Sequence, residues 1–212
     1  MVIRISASDL ESYRYWKDSD APLSDLIERL MHTAPPTRQM SAGRAFANLM
    51  ESAADGVLSL PRSEGWLFDF SDIDFTLERA PLREIKAEKV YATPYGPVTL
   101  VCKCDGLDGR TVIDQKLTER WDAENYLDSL QWRAYLDVFG AQKFIYDVFL
   151  GRYSQRSDDV LITDYHRMAF YSYPDLGKDV ERAVVELASV ITQYAPTLIT
   201  PDAQSIERET TT

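Results

Sequence analysis

Asp105, Asp114 and Lys116 are the residues whose types and spacing could do chemistry. Two extended runs meet at Asp105-Gly106-Leu107-Asp108-Gly109, whose glycines suit a tight reversal. The sequence therefore predicts a β-hairpin with Asp105 at the end of its first strand. In the second strand, Arg110 to Lys116, the period of two residues puts Asp114 and Lys116 on one face. A carboxylate and an amine thus share a face, with a second carboxylate nearby.

This set of residues suggests metal-assisted chemistry on a phosphodiester. Two carboxylates that converge from neighbouring strand ends form an all-oxygen site of the kind that Mg²⁺ or Mn²⁺ prefers. Such a cation would lower the pKa of a water molecule and neutralise charge on a phosphodiester, while Lys116 holds the water or helps to deprotonate it. Gln115 points to the other face, but its backbone carbonyl can still reach the ion because the main chain lies between the two faces.

The element after the hairpin is predicted to be a helix, from about Ala123 to Phe139. It carries Gln131 and Tyr135 one turn apart on the same side. The two side chains could support the site between helix and sheet, and in isolation they would be an ordinary pair of partly buried residues.

A second helix is predicted upstream, from about Ser41 to Ala54, and it places Gly43, Ala47 and Glu51 along one side. If that side packs against the sheet, Glu51 could point at the metal site as a third carboxylate. The alternative is a solvated helix glutamate, which is the usual environment of this residue type. Both interpretations remain open at this point.

The order and spacing of these motifs resemble the PD-(D/E)xK nuclease superfamily, specifically its RecB-like exonuclease branch. That branch carries an Asp at a strand end, a D-x-K on the next strand and a Q-x-x-x-Y on the following helix; here these are Asp105, Asp114-Gln115-Lys116 and Gln131 to Tyr135. A further G-x-x-x-H-x-x-x-E helix fits Gly43 to Glu51, except that Ala47 stands where the family has His. The resemblance covers roughly residues 8–150.

The resemblance implies an α/β fold with a restriction-endonuclease-like core, in which helices flank a central mixed β-sheet. It implies a Mg²⁺- or Mn²⁺-dependent deoxyribonuclease, most simply an exonuclease acting on linear DNA at its ends in recombination or repair. A noncatalytic module that binds DNA ends or a recombination partner is the alternative, and an endonuclease is a further one. The implied metal ligands are Asp105, Asp114, Gln115 and Glu51, and the implied catalytic residues are Asp105, Asp114, Lys116, Gln131 and Tyr135.

Composition sets the remaining expectations. The 212 residues, 45% of them hydrophobic, suit one domain over residues 1–200 followed by a disordered tail at 201–212. No apolar run is long enough for a membrane span or a signal peptide, so a cytoplasmic location is expected, in the host if the protein is phage-encoded. The net charge of −11 opposes strong binding to DNA and favours a salt-sensitive enzyme, a basic recombination or replication partner, or an oligomer.

Three local expectations complete the sequence analysis. Cys102 and Cys104 lie on one strand face, too far apart for a comfortable disulfide, so they are predicted to be buried thiols. Two cysteines cannot hold the iron–sulfur cluster that some relatives carry, and none is expected. Apolar and acidic residues alternate from Gly65 to Leu77, which predicts a strand with one wet face.

Overall fold

The computed structural model describes residues 2–33 and 35–200. The tail predicted for residues 201–212 lies outside the described residues, and the single domain over residues 1–200 stays a prediction. The helices are α1 (Ala7–Lys17), α2 (Leu23–Leu30), α3 (Arg38–Ser52), α4 (Ala123–Asp128), α5 (Leu130–Phe139) and α6 (Leu176–Tyr194), followed by a 3₁₀ turn (Pro196–Leu198). The strands are β1 (Val2–Ser6), β2 (Gly56–Val57), β3 (Arg62–Ser63), β4 (Trp66–Asp69), β5 (Thr76–Leu77), β6 (Leu82–Thr93), β7 (Gly96–Asp108), β8 (Thr111–Thr118), β9 (Lys143–Tyr153), β10 (Asp159–Tyr171) and β11 (Ile199–Thr200).

A central mixed sheet organises the fold. Its strand order is β11-β1-β7-β8-β9-β10-β4-β3, with β6 paired to β7 beside this path, and β2 and β5 form a separate small ribbon. The β1/β7, β8/β9 and β10/β4 pairs are parallel and the others are antiparallel. The prediction of an α/β fold with a mixed sheet between helices is therefore confirmed. In the described part of the chain, no helix is both long and apolar enough to cross a membrane.

The two faces of the sheet carry two hydrophobic cores. Along β9, Phe144, Tyr146 and Val148 belong to the core that also contains buried side chains of α1, α5 and α6. Phe149, the next residue, belongs to the core that contains the buried side chains of α3 and β4. This alternation is what a period of two predicts for a strand covered on both faces. We call these the first core and the second core.

The hairpin is present, but its turn is shorter than the sequence predicts. β7 continues to Asp108 and β8 begins at Thr111, so the prediction that Asp105 ends its strand is wrong. The two glycines serve different purposes. Gly109 has φ +55° and makes the turn, whereas a Cβ at Gly106 would lie 2.8 Å from the Cβ of Ala80, so Gly106 allows a close approach within the strand.

The predicted helix from Ala123 to Phe139 is divided in two. Ser129 has φ −54° and ψ 132°, which ends α4 and begins α5. Its hydroxyl accepts a hydrogen bond from the backbone N–H of Gln131 at 3.1 Å, as an N-cap residue does. A serine that caps the second helix therefore replaces the continuous helix that periodicity favours.

Other local predictions have mixed outcomes. Cys102 and Cys104 are buried and free, as predicted. The upstream helix is confirmed as α3, which starts three residues before the predicted Ser41. The predicted strand from Gly65 to Leu77 is wrong as one element, because β4 ends at Asp69 and β5 begins only at Thr76.

Candidate active site

β7 and β8 separate beside the predicted site. Their register ends at the pair Gly106 and Ile113, and on the same side of β7 the strand β1 pairs only with residues 98–101. In the described chain, residues 102–105 of β7 therefore have no paired strand on the edge that faces β8. Residues 114–118 of β8 likewise have none on the edge that faces β7. We call this gap the fork. Asp105 and Asp114 lie where it opens.

Side chains satisfy main-chain groups that the fork leaves open. The backbone N–H of Gln115 donates to Oδ2 of Asp105 at 2.7 Å, so Asp105 is tied to the neighbouring strand. The hydroxyl of Tyr135 donates to the backbone carbonyl of Lys103 at 2.5 Å, which ties α5 to β7. Buried main-chain groups need such partners. Tyr135 and Asp105 thus hold the fork open in a defined shape.

Asp114 and Lys116 form an ion pair on β8. Asp114 is 2% exposed, and its Oδ2 lies 2.7 Å from Nζ of Lys116. That oxygen is fully buried and has no well-aligned hydrogen bond among the described residues. A buried carboxylate oxygen normally accepts hydrogen bonds, so this one has capacity for a further positively charged or hydrogen-bonding partner.

The electrostatics couple the two carboxylates to the lysine. Burial, with the charge of Asp114 added, raises the pKa of Asp105 to about 7, although Lys116 and the Gln115 N–H oppose the shift. Burial lowers the pKa of Lys116, but the charges of Asp114 and Asp105 outweigh it, and the net direction is upward. Lys116 is therefore a cation at neutral pH, which suits a group that orients water or stabilises negative charge better than one that accepts a proton.

Gln131 reaches the site through one intermediate. It is buried, and its Oε1 accepts a hydrogen bond from the hydroxyl of Tyr146 at 3.3 Å. Tyr146 is the neighbour of Asp114 in the β8/β9 ladder. Tyr135 thus contacts β7 of the fork, whereas Gln131, on the same helix, contacts β9, the strand next to β8.

Glu51, Ala47 and Gln115 line one small cavity together with Asp105. Glu51 is exposed in the last turn of α3. Across the described residues, no three His, Cys, Asp or Glu side chains converge to hold a metal ion, so the structure does not bring Glu51 into a three-carboxylate cluster. Its role as a ligand stays a prediction. Ala47, which replaces the family His, presents a methyl group to this cavity.

The donor set fits a hard divalent cation. Asp105, Asp114 and the carbonyl of Gln115 offer only oxygen atoms, which are the ligands that hard cations prefer. Mg²⁺ is commonly held by one or two carboxylates, with water and substrate phosphate completing its coordination. Two carboxylates at the fork are therefore sufficient donors for such an ion.

Asp147 is a further residue of the candidate site, and the sequence does not predict it. This residue is buried on β9 beside Gln115, and burial raises its pKa. Its Oδ1 accepts from the hydroxyl of Tyr165 at 2.5 Å and lies 3.2 Å from Nε of Arg167. Asp147 and Arg167 line the same cavity as Asp105. The available signal was a lone acid inside the apolar run KFIYDVFL.

Glu11 of α1 was also missed. Its Oε2 accepts from the hydroxyl of Ser129 at 3.0 Å and from the backbone N–H of Leu130 at 2.9 Å. Its charge also contributes to the raised pKa of Lys116. Glu11 thus connects the start of α5 to the lysine. The spacing Ser8-x-x-Glu11 suggests a capping box, but the structure forms that box between Ser6 and Asp9 and leaves Glu11 free to bind α5.

Comparison with known proteins supports the fold. No protein-family model matches the sequence, and neither does any curated protein. Among solved structures, a protein from Eubacterium rectale described as a "putative exonuclease" has a TM-score of 0.53 at 9% identity over 93% of this chain and 83% of its own. The alkaline exonuclease of Laribacter hongkongensis has a TM-score of 0.44 at 14% identity over 98% and 93% of the respective chains.

The Eubacterium rectale protein thus shares the fold of this chain. At 9% identity the likeness concerns the fold alone, and the roles of the residues rest on their own geometry.

Proposed function

We propose that this protein is a Mg²⁺- or Mn²⁺-dependent deoxyribonuclease that hydrolyses phosphodiester bonds, acting as an exonuclease at DNA ends. The observation that carries the proposal is the buried carboxylate of Asp114, whose Oδ2 lies 2.7 Å from Nζ of Lys116, next to Asp105 at the fork. Two carboxylates beside one lysine form an acidic oxygen site that a hard divalent cation fits.

Each residue has a role in this proposal. Asp105, Asp114 and the carbonyl of Gln115 would hold the cation, which supplies positive charge at the phosphate and makes water easier to deprotonate. Lys116, kept protonated by the two carboxylates, would orient the attacking water or stabilise the negative charge that develops on the phosphate. Gln131 and Tyr135 would keep the strands of the fork in place. Glu51 is the proposed further ligand, directly or through water.

The proposed substrate is an end of a DNA molecule and not an internal sequence. The described chain has no evident second module with which to read base edges in a groove, so the choice of an internal sequence has no basis in it. The net charge of −11 predicts weak, salt-sensitive binding. DNA ends produced during recombination or repair, in the cytoplasm, would be the substrate. A basic recombination or replication protein, or an oligomer, would help to hold the DNA.

A noncatalytic end-binding module is the second candidate. Two observations favour it, namely the methyl group of Ala47 in the cavity and the absence of a three-carboxylate cluster from the described residues. An endonuclease would share the site of the exonuclease and would differ only in its substrate.

The test is one gel. Equal masses of linear and covalently closed circular plasmid of the same sequence are incubated with the protein in Mg²⁺, in Ca²⁺ and in EDTA. We expect progressive loss of the linear DNA in Mg²⁺ only, an intact circle, and no cleavage by Asp114→Asn. Ca²⁺ should allow binding without cleavage, because its looser coordination misplaces the water.

Three outcomes would contradict the proposal. Discrete products from the circle would favour the endonuclease, and wild-type cleavage in EDTA would remove the metal mechanism. No cleavage under any condition, with a retained shift of DNA ends in a binding gel, would favour the noncatalytic module.

A further inference from the structure

Arg83 lies on β6 and lines the cavity that contains Asp105 and Gln115. Its Nη1 atom is fully buried and has no hydrogen-bond partner within the described residues. A guanidinium group is always charged and carries five N–H donors. An unpaired buried donor of this kind costs folding free energy, and buried donors normally have partners. The unpaired guanidinium donor of Arg83 therefore lowers the stability of the free protein.

The acid next to Arg83 does not pair with it. Glu84 has φ +55°, a left-handed conformation that a non-glycine residue rarely adopts, and its carboxylate contacts Lys103 instead. Strained backbone positions of this kind are concentrated at functional sites. In the described chain Arg83 forms no ion pair with any of the acids that line the cavity. Glu84, the adjacent acid, thus pairs with Lys103 and does not neutralise the guanidinium group of Arg83.

We propose that Arg83 binds a phosphate of the DNA strand adjacent to the bond that is cut. The inference rests on the proposed function and names a group that positions the substrate of that site. A guanidinium fork matches two oxygens of one phosphate, and the charge-assisted contact is strong where water is excluded. A rotation of the side chain that turns Nη1 into the cavity would let the phosphate supply the acceptor that this atom lacks in the free protein. Because Arg83 and Asp105 line the same cavity, the contacted phosphate lies close to the fork.

Arg79 and Arg167 line the same cavity and differ from Arg83. Arg167 is paired with Asp147 at 3.2 Å and is half exposed, so part of its charge is already neutralised. Arg83 is therefore the cation of this cavity with an unused buried donor. In a protein with 23 basic and 34 acidic residues, one such contact is a large share of the attraction for DNA.

The rival explanation is structural, in which Arg83 only offsets the charges of the surrounding acids. The two explanations predict opposite changes in stability. If Arg83 stabilises the free protein, Arg83→Met lowers the melting temperature. If its buried donor is unpaired until DNA arrives, Arg83→Met keeps or raises the melting temperature while DNA affinity falls.

The experiment measures binding apart from cleavage. Fluorescence anisotropy of a labelled single-stranded oligodeoxynucleotide is recorded in EDTA and in Ca²⁺ for wild type, Arg83→Met and Arg83→Lys. Arg62→Met is the matched control, because Arg62 lies exposed on the strand β3 and has the same charge. We expect Arg83→Met to weaken binding about tenfold and to reduce the salt slope by about one, whereas the control stays near wild type. Arg83→Lys should fall between the two because it keeps the charge and loses the fork geometry.

A methylphosphonate scan locates the contact. Replacing one phosphate at a time with an uncharged methylphosphonate should weaken binding by wild type most strongly at one linkage. In Arg83→Met the same replacement should have little further effect, because the partner of that phosphate has already been removed.

The outcomes separate this inference from the proposed function. Unchanged affinity and an unchanged scan profile in Arg83→Met overturn the role of Arg83, even if wild type cleaves DNA. A lower melting temperature with unchanged affinity supports the structural explanation, and absence of DNA binding by wild type in both buffers also contradicts the inference. A scan profile that depends on Arg83, in a protein that cleaves nothing in Mg²⁺ or Mn²⁺, would keep the phosphate contact and reject the nuclease.

Discussion

The first and second cores cover opposite faces of one sheet and differ in how they are built. The first core is contributed by long helices packed on long strands, including α1, α5, α6 and β7. The second core is mainly aromatic and includes Phe46 of α3, Phe68 of the short strand β4, Phe70 just after it, and Phe149 of the long strand β9. Asp114 lies on the side of the first core, and the cavity with Arg83 and Asp147 lies on the side of the second.

The two cores therefore hold different parts of the site in place. The side chains around Asp114 are held by α1 and α5, whose buried hydrogen bonds fix Ser129 and Glu11. The cavity wall includes residues 77–80, which follow a two-residue strand. Regular elements thus fix Asp114 and Lys116, whereas less regular segments form part of the cavity that Asp105 and Gln115 also line. Five substitutions test this division.

The largest expected effect is on cleavage by Asp114→Asn and Lys116→Ala. Each should lower the cleavage rate by about a hundredfold or more, because each removes a charge that acts on the reacting phosphate. The reasons differ, because loss of the carboxylate weakens cation binding, whereas loss of the amine leaves the cation bound and the water badly placed. Calorimetry with Mn²⁺ separates them. Equal loss of Mn²⁺ binding in both variants would show that the roles are assigned wrongly.

The next effect is on stability, and it compares the two cores directly. Phe46→Ala in the second core and Phe144→Ala in the first core should each lower the free energy of unfolding by about 3–5 kcal/mol, since both rings are fully buried. Native-state hydrogen exchange should distinguish them. Phe46→Ala should speed exchange in α3 and β4 and spare α6, because the second core can open locally.

Phe144→Ala should instead speed exchange on both sides of the sheet, because β9 lies at the centre of the strand order. Denaturant unfolding of both variants checks the free energies. If Phe46→Ala also accelerates exchange throughout α6, the two cores unfold as one unit, and the proposed difference between them is contradicted.

The smallest effect concerns Tyr135→Phe, which removes the hydrogen bond to the carbonyl of Lys103 in the fork. Loss of one buried hydrogen bond should cost about 1 kcal/mol. For a protein of this size that corresponds to a fall of roughly 2–4 °C in melting temperature. Tyr194→Phe, at a half-exposed tyrosine of α6, is the control and should have no measurable effect. Equal melting temperatures for both variants would mean that Tyr135 does not support the fork.

The sequence predicts the first core and its site better than the second core. Asp114 and Lys116 were assigned to one face by the period of two, and the ion pair between them agrees with it. Gln131 and Tyr135 were placed one turn apart on a helix, and α5 carries both. These inferences depend on regular geometry within single elements, which composition and spacing encode directly.

What the sequence did not predict depends on contacts between distant segments. The strand predicted from Gly65 to Leu77 is divided because the aromatic residues pack into the second core from a bend rather than an extended run. Asp147 and Arg83 line the cavity with Asp105 only because the tertiary structure brings distant segments together, so their sequence positions do not predict a role. The position of Asp105 inside β7 was missed because Gly106, read as part of a turn, serves a close approach to Ala80.

The fork has a consequence for engineering. If β7 and β8 continued their pairing past Asp105, the sheet would gain main-chain hydrogen bonds and the space between the two carboxylates would close. Selection for thermal stability alone should therefore enrich variants in which β7 and β8 pair over more residues and catalytic activity is lost. Stability and activity commonly oppose each other in this way. A library screened for both properties should leave Gly106 and Tyr135 unchanged and accept its stabilising changes on α6 and β10.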